Sequence, residues 1–335
     1  MARLVEDLVF LSRVHLCNPQ LMSSRIAIVG AGAIGTFYGA RLALAGADVH
    51  FYVRSGLAEI RARGIALRDA GGVQTLPPAR TAAYGSTVEI GPVDVAIITL
   101  KNTANDLLAT LLPPLLGPQT VILTLQNGLG SDELLAGLFG AERVVGGLAF
   151  IAAVREAPGE IRIFTPGYVT LSEFGRPVSE RVRRLVALFR RAGVQCEAVD
   201  DLAEARWRKL VWNIPFNGLT IAAGGVPTDR ILATPRWEQE ARALINEVIT
   251  AAARFGHVIP MDFIEQQFEH TRRMGAYQPS SLIDYLAGRE VEVEAIWGEP
   301  LRRAQAAGAT LPHLEELYTT LKRLTATRTN MSTIS

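Results

Sequence analysis

Cysteine is nearly absent from this 335-residue chain. The two thiols, Cys17 and Cys196, cannot build a disulfide framework, so a reducing compartment, the cytoplasm, is the expected location. No stretch offers the roughly 18 uninterrupted apolar residues of a membrane helix, and no membrane partner is expected. Net charge is also almost absent: 34 Lys+Arg against 33 Asp+Glu leave +1. Without a basic excess there is no electrostatic footprint for nucleic acid, and any bound phosphate must be held by local geometry. Charged residues make up 20% of the chain and hydrophobic residues 49%, which argues against disorder. The length exceeds the roughly 100 to 200 residues of one domain. We therefore expect two domains, each able to bury its own core.

The start of the chain stands apart. Residues 1–23 carry Glu6, Asp7, Arg13 and His15 where a signal peptide would be apolar, so secretion is not expected. They are read as an N-terminal extension outside the fold. From Arg25 the chain alternates short apolar runs with helical stretches. The runs 25–29, 48–53, 94–100 and 120–125 read as buried parallel strands. Between the first two, a helical pattern ends at Gly46. Further strands are predicted at 144–151, 161–164 and 168–172, with a helix near 178–192. Beyond Asp200 the strand signals stop. Helices are predicted at 201–222, 235–255, 260–273, 280–287, 291–308 and 312–326. This pattern predicts an α/β Rossmann-type, doubly wound parallel sheet over 24–200, followed by an all-helical domain over 201–328. The apolar helix 235–255 could serve a homodimer or simply its own core.

Gly30-Ala31-Gly32-Ala33-Ile34-Gly35 directly follows the first strand and opens a helix. In such a turn the first glycine allows the tight bend, the second lets a pyrophosphate approach the backbone, and the third lets helix and strand pack closely. The phosphates then meet the helix N-terminus, where unpaired N–H groups and the positive dipole end lie. A ligand-free glycine turn is the bland alternative. An NAD site places a carboxylate about 20 residues past the glycines. Here the second strand ends in Arg54, nineteen residues after Gly35, with no acid beside it. A guanidinium holds a 2′-phosphate that a carboxylate would repel, so NADPH/NADP⁺ is the expected cofactor.

Loops beyond the strands' carboxyl ends supply further candidates. Lys101 and Asn102 follow the third run, and Gln126-Asn127-Gly128 follows the fourth. Lys101 could meet cofactor phosphates or ribose. Asn127, with donors and an acceptor, could bond the nicotinamide ribose or a substrate oxygen. Against these stand an N-cap role for Asn102 and an ordinary Asn-Gly turn. In the second domain Lys209, Asn213 and Asn217 are four apart and share one helix face. One ammonium and two carboxamides suit a bound small molecule, whereas Leu210, Val211, Ile214 and Leu219 can pack inward. A solvated helix face is the alternative.

These residues, together with Pro279-Ser280 and the run from Asp284 through Arg289 to Glu292, resemble ketopantoate reductase from about Arg25 to Leu324. The resemblance implies a Rossmann domain joined to a helical domain like that of 6-phosphogluconate dehydrogenase, with the site between them. It implies NADPH-dependent reduction of 2-dehydropantoate to (R)-pantoate, a step of pantothenate and coenzyme A synthesis, on a small 2-oxo acid substrate and with no metal. Lys209 would be the general acid. Asn213, Asn217 and Ser280 would bind the substrate carboxylate and hydroxyl, Asn127 would sit between nicotinamide and substrate, and Glu292 would lie near the cofactor ribose. Read from sequence physics, Ser280 is an N-cap and Glu292 a solvated helix charge. The chain departs from the family pattern at Ser172-Glu173, at Ser281, and at Pro215, which predicts a kink between Asn213 and Asn217. Two other readings remain open at this point: a related reductase of another 2-oxo acid, and a non-catalytic NADP-sensing regulator.

Overall fold

The computed structural model describes residues 24–332, so the N-terminal extension expected at 1–23 lies outside the described residues. Ten strands form one sheet: β1 Arg25–Val29, β2 Asp48–Tyr52, β3 Ile65–Asp69, β4 Gly72–Leu76, β5 Ala82–Tyr84, β6 Val93–Ile98, β7 Leu116–Thr124, β8 Val144–Ala157, β9 Glu160–Glu173 and β10 Gln195–Ala198. Their order is β4-β3-β9-β8-β7-β6-β1-β2-β5, with β10 on β9. Strands β5, β2, β1, β6, β7 and β8 run parallel. From β1 the sheet continues outward through β2 to β5 on one side, while β6 lies on the other side of β1. The strand order therefore reverses between β1 and β6, the place where open α/β sheets bind ligands.

The parallel strands are β-branched and almost wholly buried, Ile26 to Val29 being 0% exposed, because helices cover both faces. The major helices are α1 Ala33–Leu44, α2 Ser131–Phe139, α3 Glu180–Arg191, α4 Leu202–Ala222, α5 Pro235–Arg254, α6 Asp262–Met274, α7 Ser280–Leu286, α8 Glu299–Ala306 and α9 Pro312–Ser332. Two apolar clusters sandwich the sheet, one under α1 and α3, the other around Leu108, Leu115 and Leu135. A third, built on α4, α5 and α9 around Trp297 and Phe216, is the core of the helical part. The buried stripe of α5, Ala241, Leu244, Ile245 and Val248, lies in that core.

Several features differ from the sequence expectation. The outer sheet is not a simple parallel continuation: β8 and β9 form a 14-residue-a-side antiparallel hairpin, and an antiparallel β3–β4 pair borders β9. Strands β3, β4, β5 and β10 are short or half-exposed and carry weak periodicity, which is why the sequence pattern does not reveal them. Pro215, where a kink is predicted, lies inside α4, which is one helical segment from Leu202 to Ala222. Pro215 is buried there, and Trp297 Nε1 donates to the Ile214 carbonyl at 2.9 Å, so neighbouring helices hold the stretch in place. The helix predicted at 291–308 is divided into a π-helical turn, Glu294–Gly298, and α8. The π-turn packs against the 126–129 loop, where Leu129 N donates to the Ala295 carbonyl at 3.1 Å. Among the described residues no helix is long and apolar enough to cross a membrane.

Candidate active site

The glycine turn sits at the reversal of strand order. Gly30 has φ +117, and a Cβ there would stand 2.7 Å from Leu100 N. A Cβ on Gly35 would stand 2.1 Å from the Gly30 carbonyl, so helix and strand approach as closely as the motif predicts. Gly32 has nothing within 4 Å of its virtual Cβ and is the N-cap of α1, with no side chain capping the helix. Its first-turn N–H groups thus face an open approach, as a pyrophosphate requires. Ala31, Ala33 and Ile34 complete this turn. Arg54 is exposed just past β2. From the β8 side, Arg155 Nη1 donates to the Ala31 carbonyl at 3.3 Å, a neighbour that sequence reasoning missed. These features fit a dinucleotide.

Opposite the sheet edge lies the Lys209 cluster. Lys209 Nζ donates to Asn127 Oδ1 at 2.7 Å and to the Ala149 carbonyl of β8 at 2.8 Å. Both partners are neutral. Burial, helped by the nearby Arg206 cation and opposed by Glu292, pulls its pKa down to about 8. The Asn127-Gly128 turn is built for this contact: Gly128 has φ +74, and a Cβ there would stand 2.1 Å from the Ala295 carbonyl. Asn127 Nδ2 in turn reaches Glu292 Oε2 at 3.5 Å. Glu292 Oε1 accepts from the backbone N–H and the side-chain Nδ2 of Asn102, each at 2.9 Å. Glu292 is therefore half-buried and bonded into the site, not a solvated helix charge.

Asn102 does not cap its helix with its side chain, the role that sequence physics suggests. Its Nδ2 also donates to the Asn127 carbonyl at 2.8 Å, and its Oδ1 accepts from Ser131 Oγ at the start of α2. Gln126, buried below the turn, donates to Asn105 Oδ1 at 2.7 Å and to the Leu100 carbonyl at 3.0 Å. Asn105 and Ser131 are thus supporting residues that no local pattern marks, beside Asn102, which its loop position does. They come together only because the β6 and β7 loops are adjacent in the sheet.

Asn213 and Asn217 are 8% and 2% exposed, so this face of α4 is not solvated. Asn217 Oδ1 accepts from Ser281 N at 3.0 Å, which docks the start of α7 on α4. Ser280 is the exposed first residue of α7, beside that contact; its predicted N-cap place is taken by Pro279. Asn213, Lys209, Asn127 and Arg206 share the lining of a small cavity of about 10 Å³. Lys101, which its place in the sequence suggests for cofactor phosphates or ribose, is held by the helical part. Its ammonium pairs with Asp284 at 2.7 Å and donates to the Glu290 carbonyl at 2.9 Å, tying the β6 loop to the helical part. A larger groove of about 600 Å³ shares Asn102 and Glu292 with the cluster but is otherwise lined mainly by the 285–302 segment and α9.

A glycine turn at the switch point of a Rossmann sheet, with a buried lysine ammonium that a helical domain places against β8 and the loop after β7, marks a two-domain oxidoreductase. The chain belongs to the ketopantoate reductase family. The family model described as Ketopantoate reductase PanE/ApbA matches residues 26–176, and its C-terminal counterpart matches residues 201–325. A 2-dehydropantoate 2-reductase of Nostoc sp. is 37% identical over 305 residues, covering 90% of this chain and 95% of the relative. The crystal structure of 2-dehydropantoate 2-reductase from Geobacter metallireducens superimposes with a TM-score of 0.86 at 43% identity, covering 89% of this chain and 99% of that one. That from Methylococcus capsulatus does so with a TM-score of 0.82 at 36% identity, covering 91% and 98%.

Proposed function

We propose that this chain reduces 2-dehydropantoate to (R)-pantoate with NADPH, the reduction step toward pantothenate and coenzyme A. The observation that carries the reading is the environment of Lys209, whose buried ammonium meets two neutral acceptors at the junction of sheet and helical domain. When bound, the cofactor supplies the hydride that reaches C2 of the substrate. The pyrophosphate would be held by Gly30, Ala31, Gly32, Ala33, Ile34 and Gly35 and by the free N–H groups of α1, and the 2′-phosphate by Arg54. Glu292, aligned by Asn102, is suited to accept from a ribose hydroxyl. Lys101 serves the cofactor side if its bond to Asp284 yields; in this arrangement it ties the two domains.

Lys209 donates its proton to the C2 oxygen as the carbonyl becomes an alkoxide. Before transfer, its charge stabilises the developing negative oxygen in a site with little water. With the pKa near 8, the ammonium is still charged at neutral pH yet gives up its proton more readily than an ordinary lysine. Asn127 aims the ammonium and lies between it and the cofactor side. Asn213, Asn217 and Ser280 offer amide and hydroxyl groups to the substrate carboxylate and hydroxyl.

The test is a steady-state assay with ketopantoate beside ketoisovalerate, pyruvate and oxaloacetate, with NADPH and then NADH. A kcat/KM for ketopantoate well above the other acids, with NADPH preferred, is expected. If another acid wins, the substrate is wrong and the Lys209 mechanism survives. If none reacts while NADPH binds, the chain is a sensor rather than a reductase.

A further inference from the structure

One turn before Lys209 on α4 lies Arg206, a guanidinium that the chemistry above does not use. It is 7% exposed, and its carboxylate partner Asp132, in the first turn of α2, is mostly shielded, with a side chain 15% exposed. Nη2 donates to both oxygens of Asp132 at 2.9 Å and to the Gly147 carbonyl at 3.3 Å, and Nη1 donates to the Gly128 carbonyl at 2.9 Å. Each carbonyl has a meaning for Lys209. Gly128 follows Asn127, and Gly147 lies two residues before Ala149 on the same strand; Asn127 and Ala149 are the two acceptors of the ammonium. The strand is also shaped to admit this pair. A Cβ at Gly146 would stand 2.9 Å from Asp132 Oδ2, and one at Gly147 would stand 2.5 Å from Leu125 Cδ2 and 2.8 Å from the Thr124 carbonyl.

A buried ion pair is a weak source of stability, because desolvating two charges offsets most of their attraction. This one has a better explanation in its position. We propose that Arg206, held by Asp132, is the positioning residue of the site: it clamps the turn and the strand that carry the two acceptors of Lys209, and it is the fixed cation beside which Lys209 must hold its proton. The inference rests on the reading of Lys209 as the acid of a reductase.

The charges around Lys209 set the expected signs. Arg206 faces it from its own helix and opposes its proton, while Glu292 favours it. Asp132 on α2 screens Arg206, and β8 brings the neutral Ala149 carbonyl. Arg208 and Glu204 pair with each other along α4, and Arg303 of α8 pairs with Glu133. Removing the cation should therefore raise the Lys209 midpoint, and removing its counter-charge should lower it.

Lys101, Lys209 and Lys322 are the lysines of the sequence, so carbon-13 labelled lysine gives a resolved NMR titration, with Lys209→Arg assigning the signal. We expect Arg206→Met to raise the Lys209 midpoint by about half a pH unit or more, and Asp132→Asn to lower it. The alkaline limb of kcat/KM, which reports the free enzyme, should move with it in each variant. Arg206→Lys, which keeps the charge but not the fork, should leave the limb in place while kcat falls about tenfold. A merely structural role would lower activity without moving the midpoint in opposite directions. Should Arg206→Met not fold, Asp132→Asn decides by its sign. If wild-type protein reduces ketopantoate and its Lys209 midpoint is shared by the variants, the positioning role is overturned. Wild-type protein that titrates as expected yet reduces no 2-oxo acid overturns the functional reading instead.

Discussion

Between Gly30 and Gly35 the site is made of backbone from one continuous segment; around Lys209 it is made of side chains drawn from the β6 and β7 loops, β8, α4 and the 290–294 segment. The first region works by what is missing, namely the Cβ atoms that would close the turn or block the helix end. The second works by what is supplied, a charge with two neutral acceptors and a network of amides that fixes them. A backbone site depends on local sequence and tolerates distant change. A side-chain site depends on every element that brings a partner, so its weak points are spread across both domains.

That contrast can be broken most forcefully at Lys209. Lys209→Ala should lower kcat by about 10²- to 10⁴-fold, the usual range for a general acid, and leave NADPH affinity within about twofold, measured by single-turnover rates and by nucleotide fluorescence. The opposite pattern belongs to the cofactor end: Arg54→Glu should weaken NADPH binding by about 10- to 100-fold, narrow or invert the preference over NADH, and change single-turnover kcat little. A smaller effect is expected for Gly35→Ala, whose new Cβ would meet the Gly30 carbonyl at 2.1 Å. Its cost is about 1 to 3 kcal/mol of stability, read by denaturant unfolding, with NADPH affinity falling because the turn must shift. Asn217→Ala removes the acceptor of Ser281 N and should cost about 1 to 3 kcal/mol. Its signature is a raised KM for the oxo acid, since α7 carries Ser280.

The mildest test uses pH. Lys209 is depressed to about 8, and in the proposed mechanism its protonated form is the active one. The fraction carrying the proton falls as pH rises through that value, so kcat/KM should decline above about pH 8. A lysine at its ordinary value of about 10.4 would hold activity some two pH units further. A profile flat to pH 10 would show that Lys209 keeps its ordinary value and that the depression is absent in solution.

Much of the site is legible in the amino-acid sequence. The strand-turn-helix setting of the glycines is local, and the structure reproduces it with the expected close approaches. The helix face carrying Lys209, Asn213 and Asn217 follows from spacing alone, and α4 contains all three. The same logic errs or falls silent where partners lie far apart in sequence. For Lys101, read as a ligand of cofactor phosphates or ribose, nothing near it in the chain shows that Asp284 and the Glu290 carbonyl also hold its ammonium. Asn102 and Glu292 read as a cap and a surface charge because each finds the other across 190 positions. At Pro215 the sequence does not show that the indole of Trp297, 82 residues away, braces the neighbouring Ile214 carbonyl.

The sequence by itself determined the residue chemistry, the glycine turn, the order of elements and the periodicity of α4, all of which depend on neighbours a few residues apart. Tertiary structure decided the protonation balance of Lys209, the aim of Asn127 and the pairing of Arg206 with Asp132. The physical reason is that desolvation and charge interaction act through space: a pKa or a hydrogen bond depends on which groups the fold excludes from water together.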